Sequence, residues 1–137
     1  MRLTSFTDYG LRVLMRMAGD PDRGFSTGEL AEEFRVSRNH LAKVIAALAA
    51  GGLLTTRRGG GGGARLARDP ASIRLGDVVA LLDADQALVE CFAPFTNACT
   101  LMPNCLLKPR LARAEAAFIA ELNRSTLADC AYRPLAA

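Results

Sequence analysis

The 137-residue chain has no tryptophan, only two tyrosines and six phenylalanines, and a single histidine. With so few rings, Leu and Ala have to build the interior, and those residues suit helices better than sheets. The one histidine, His40, falls in a segment read below as a recognition helix, so no nucleophile–histidine pairing supports an enzyme. No apolar run approaches the roughly 18 residues of a membrane span. The opening MRLTSFTDYG lacks the apolar stretch of a signal peptide. The expectation is a cytoplasmic protein with no membrane association, in which cysteines stay reduced. Also missing is any C-x2-C pair of the kind zinc ribbons use. The five glycines at 59–63 lack the Lys-Ser/Thr ending of a phosphate-binding loop.

Half of the chain is apolar, enough for a packed core. The net charge of +3 is unevenly spread. Residues 1–68 carry 11 basic and 6 acidic groups, a net of +5, whereas residues 69–137 carry 6 and 8, a net of −2. A basic front half on a slightly acidic back half fits a polyanion-binding head joined to another kind of module. The division expected is a DNA-binding domain over 1–70 and a second part over 71–137.

Apolar spacing predicts a first helix over about 5–18, with Ser5 and Asp8 in a capping-box relation and Phe6, Tyr9, Val13, Leu14 and Met17 on one face. Ser26 and Glu29 form a second capping box, opening a helix that stops near Arg35. Ser37 caps a third, in which Leu41, Val44, Ile45 and Leu48 fall at i, i+3, i+4 and i+7 and Gly51 and Gly52 stop the helix. Two helices joined by so short a turn make a helix-turn-helix. Leu53–Arg58 and Ala64–Arg68 then flank the glycines as a β-hairpin, the wing, unless the glycine run is simply a linker. A fourth helix is predicted over Leu75–Asp85, and a longer one from Leu106 to about Arg124 with Pro109 in its first turn. Its stripe of Leu107, Leu111, Ala114, Phe118 and Leu122 predicts a dimerisation helix, or else packing on its own domain. The fold class is therefore mainly α: a winged helix-turn-helix with a small hairpin wing and a long C-terminal dimerisation helix.

In a helix-turn-helix, the opening residues of the second helix meet base edges in the major groove. Here they are Ser37, Arg38, Asn39 and His40, with Lys43 on the next turn. Arg pairs bidentately with guanine and Asn with adenine. The wing arginines Arg57, Arg58 and Arg65 suit phosphates, raising affinity without setting sequence. A dimer would put two recognition helices about one turn of DNA apart, which implies a palindromic operator in double-stranded DNA.

Cys91, Cys99 and Cys105 follow C-x7-C-x5-C with Pro94 and Pro103 between them, and Cys130 stands 25 residues beyond as a spare thiol. The trio by itself indicates a metal or redox site; the wide spacing suits a bulky sulfur-bridged group better than one ion.

The opening MRLTSFTDYGLRVLMRMA, the segment VSRNHLAKVIAALAAGGLL, the glycine-rich wing and ECF…C…PNCLLK…AFIAELNRSTLAD together resemble the nitric-oxide-sensing NsrR type of winged-helix iron–sulfur regulator, a family that also includes IscR. The resemblance covers nearly the whole chain. It implies a homodimeric repressor with an iron–sulfur cluster on Cys91, Cys99 and Cys105, of the 4Fe–4S kind with 2Fe–2S as the alternative, and nitric oxide as the signal that releases operator DNA. IscR-like members carry a histidine shortly after the third cysteine; here the residue three past Cys105 is Lys108. By resemblance Asp8 of the partner subunit is the fourth ligand, although Asp8 is equally placed as a capping acid or as the i,i+4 partner of Arg12. An iron or general redox sensor using the same cysteines, and a cofactor-free DNA-binding protein, are the other readings.

Overall fold

The computed structural model describes residues 2–59, 63–93 and 99–135. Helix α1 (Ser5–Ala18) is capped by Thr4, whose hydroxyl oxygen accepts from the Thr7 amide at 3.1 Å. Ser5 is thus not the cap. Thr4 keeps the extended backbone that a cap needs, while Asp8 turns to Arg12 instead.

Helix α2 (Thr27–Phe34) opens with both bonds of the Ser26/Glu29 capping box and closes on Arg35, which takes the left-handed conformation at φ 57°. Helix α3 (Arg38–Ala50) starts from Ser37, whose Oγ accepts from the His40 amide at 3.3 Å. Leu41, Val44, Ile45 and Leu48 are all buried, as their spacing demands.

The wing pairs β1 (Leu54–Arg57) with β2 (Gly63–Leu66) antiparallel, in register from Leu54↔Leu66 to Arg57↔Gly63. Both strands are shorter than the expected Leu53–Arg58 and Ala64–Arg68, and residues 60–62 of the tip lie outside the described residues. Phe25 adds a one-residue third strand through two bonds with Ala64, at 2.8 and 2.7 Å. Leu54, Ala64 and Leu66 point into the core and the intervening residues point outward.

Helix α4 (Leu75–Leu82) ends before the expected Asp85. Asp83 leaves the helix and its carboxylate takes the hydroxyls of Thr4, at 3.1 Å, and Thr7. Helix α5 (Lys108–Leu122) is shorter than predicted at both ends, with Pro109 in its first turn. It lies close on α4: a Cβ at Gly76 would meet the carbonyl oxygen of Ile119 at 2.4 Å. No α5 side chain is fully buried; Leu111, Phe118 and Leu122 of the expected stripe are half-buried and Ala114 is exposed. One core joins Val13, Leu14 and Met17 of α1 to Leu41, Val44 and Leu48 of α3, Leu66 of the wing, Ile73, Val78 and Leu82 around α4, and Leu127.

Candidate nucleic-acid interface and cysteine segment

The first turn of α3 divides its side chains between two tasks. Leu41 and Val44 go into the core, so Arg38, Asn39 and Lys43 must face outward, and all three are exposed. Arg38 extends towards the start of α2, where its guanidinium carbon would lie 3.4 Å from a Cβ at Gly28. Ser37 is exposed and already serves as the cap. His40 is half-buried and packs on α1: its ring lies 6.4 Å from that of Phe6, stacked, and 5.1 Å from that of Tyr9, edge-on.

On the wing, Arg57 and Arg58 are exposed. Arg65 differs: it is half-buried and donates to the carbonyl oxygen of Asp22 at 3.3 Å, tying the wing to the loop before α2. Among the described residues, three of the six acids in residues 1–68 are ion-paired within the head. Asp8 pairs with Arg12, Glu33 with Arg16 and Glu29 with Arg23. Among the described residues, no ion pair engages Arg38, Lys43, Arg57 or Arg58, which leaves a cationic face on α3 and the wing.

Cys91 sits in a 3-10 turn at Glu90–Phe92, Cys99 borders residues 94–98, which lie outside the described residues, and Cys105 precedes α5. All three are half-buried and none belongs to the hydrophobic core. Cys130 is half-buried in the 3-10 turn Leu127–Cys130, after α5. Among the described residues, no three His, Cys, Asp or Glu side chains converge into a site for a metal ion. The donor set of three soft thiols in one irregular segment fits an iron–sulfur group, whose metals and sulfides supply their own spacing. Asp8 lies on the first half of α1 with its side chain about half exposed, and both its oxygens accept from Arg12, at 3.0 and 2.8 Å. A ligand at Asp8 would have to share that carboxylate with a guanidinium.

Two features have no signal in the local sequence. Phe6 and Tyr9 pack against the core as their spacing predicts, but from its edge they also meet His40, a contact that no local pattern marks. Asp83 follows an apolar helix with nothing local to mark it, and only the fold brings it to Thr4 and Thr7.

A helix-turn-helix with a cationic wing, joined to a cysteine-bearing segment, defines a winged-helix transcription regulator. The chain belongs to the Rrf2 family, described as iron-dependent transcriptional regulators, whose family model matches residues 3–133. Proteins of this family are DNA-binding regulators and not enzymes. Among solved structures, the chain is similar to CymR, the global cysteine regulator of B. subtilis, at 24% identity over 96% of each chain with a TM-score of 0.73. It is similar to T. potens IscR at 24% identity, over 94% of this chain and 85% of that one, with a TM-score of 0.74. The oxidized form of Staphylococcus aureus CymR matches at 25% identity, over 99% of this chain and 100% of that one, with a TM-score of 0.73. The first two likenesses establish the fold. Among the described residues, no helix is long and apolar enough to cross a membrane.

Proposed function

We propose that the protein is a homodimeric repressor that senses nitric oxide through an iron–sulfur cluster held by Cys91, Cys99 and Cys105 and lets go of a palindromic operator when the cluster is destroyed. The observation that carries this reading is the presence of three half-buried thiols, none used in the core, within one segment attached to a winged-helix head. When bound, the group supplies iron that reacts with nitric oxide. The chain's own residues do the rest. The three thiolates hold the group, Asp8 of a second copy completes it, and Arg38, Asn39 and Lys43 present to base edges. The exposed ends Leu101, Leu106 and Leu107 around the start of α5 supply apolar surface for that second copy.

Anaerobic purification with iron and sulfide analysis tests the cofactor, and a nitric oxide titration of operator binding tests the signal. The expected result is a coloured, iron-containing wild type and a colourless Cys91→Ser, Cys99→Ser or Cys105→Ser protein. A wild type without iron after reconstitution would remove the sensor while leaving the DNA-binding head.

A second reading, an iron or redox sensor on the same thiols, is favoured by the family's description as iron-dependent. Operator release on treatment with an iron chelator but not with nitric oxide would select it.

On the wing, the Arg57→Ala/Arg58→Ala double variant is expected to weaken binding on all sequences alike. It should flatten the dependence of log K on log salt by about 0.9 for each phosphate that is no longer neutralised. A changed sequence preference with an unchanged slope would show that the pair reads bases instead.

A further inference from the structure

A continuous chain of contacts runs from Asp8 to the recognition helix. The Asp8 carboxylate holds the Arg12 guanidinium in two bonds, at 3.0 and 2.8 Å. The guanidinium carbon of Arg12 lies 5.4 Å from the centre of the Tyr9 ring. Tyr9 meets His40 at 5.1 Å with the rings at 72°, and Phe6 closes the other side at 6.4 Å and 25°. His40 belongs to the first turn of α3, and its amide makes the capping bond to Ser37. Its neighbours Arg38 and Asn39 are the exposed candidates for base contact.

The position of this chain matters. The buried contacts between α1 and α3, through Val13, Leu14, Leu41 and Val44, are close-packed and tolerate one arrangement. The N-terminus of α1 is held to the end of α4 by the bonds from Thr4 and Thr7 to Asp83. The half-buried rings of Phe6 and Tyr9 pack on the outer edge of that core, beside His40. A charge held over a ring and two ring–ring contacts are directional, so moving the guanidinium alters what the imidazole meets.

We propose that His40 is a positioning residue that ties the opening turn of the recognition helix to the Asp8–Arg12 pair, so that a change at Asp8 alters how Arg38 and Asn39 are presented to DNA. The proposal rests on the reading of Asp8 as part of the sensor. It makes the Arg12–Tyr9–His40 contacts the physical route between the two sites.

Because His40 is the only histidine, its ring gives one set of imidazole signals in an NMR spectrum. In cluster-free protein, Asp8→Ala is expected to move those signals by way of Arg12 and Tyr9, and Tyr9→Leu should move them further. Unmoved signals in Asp8→Ala overturn the proposal, whether or not the protein is a sensor. The second arm uses a DNA duplex selected by the wild type from a random pool. The ratio of affinities before and after nitric oxide treatment should fall from the wild-type value, in the range of about 5- to 150-fold, to within about twofold in His40→Ala and Tyr9→Leu. His40→Phe keeps a stacking ring and should retain the ratio. If His40→Ala weakens both forms equally and leaves the ratio at the wild-type value, His40 is a DNA contact alone and the proposal fails. A wild type with no ratio at all removes the sensor reading, and the NMR arm still decides whether the contact route exists.

Discussion

Gly63→Ala is expected to destabilise the head by about 3 kcal/mol or more, from backbone strain together with disruption of a hydrogen-bonded pair. Gly63 has φ +102°, where an L side chain is strained, and a Cβ there would lie 2.6 Å from the carbonyl oxygen of Phe25. That oxygen accepts from the Ala64 amide at 2.7 Å while the Phe25 amide donates to Ala64 at 2.8 Å. Relieving the clash therefore means breaking the bridge that seats the wing on the head. Gly59 is the control: it also has positive φ, at +92°, but open space around it, so Gly59→Ala should cost only the strain, about 1 kcal/mol. Urea unfolding followed by circular dichroism measures both. Equal midpoints for the two variants would mean that the Phe25 contact does not hold the wing.

Glu33→Ala should cost about 2–3 kcal/mol, because it strands a buried guanidinium, a penalty tempered here by the partial exposure of Glu33. Arg16 has its side chain only 9% exposed, bonds Glu33 through Nε at 3.0 Å and lies over the Phe25 ring at 4.8 Å. Its Nη1 is buried with no hydrogen-bond partner among the described residues, so removing Glu33 leaves a guanidinium already short of acceptors with fewer still. Adding Arg16→Met to Glu33→Ala replaces the charge with an apolar chain of similar length over Phe25, and most of the stability should return. The double-mutant cycle is read from denaturation midpoints. Additive effects would show that the two side chains act independently.

Much of the head was legible from local rules. Ser26 with Glu29, Ser37 before Arg38, and Leu41, Val44, Ile45 and Leu48 at helical spacing report interactions within a few residues of one another, and each is made as expected. Two of the boundaries that slipped belong to long-range partners. Thr4 replaces Ser5 as the cap of α1 in a corner shared with Asp83, and α4 stops at Leu82 as Asp83 turns to that corner. Arg65 has the same local signature as Arg57, yet only Arg65 reaches Asp22, because β2 and not β1 runs beside Phe25.

By itself the sequence determined the helix-turn-helix, the hairpin wing and the grouping of three cysteines, since capping, periodicity and spacing are written in neighbouring residues. Tertiary structure decided which of the basic side chains make no ion pair among the described residues and which are spent on holding the head together. It also decided that the lone histidine faces Phe6 and Tyr9 of α1. The reason is physical: a side chain's partners across 30 or 80 residues depend on how close-packed elements meet, and no local pattern encodes that meeting.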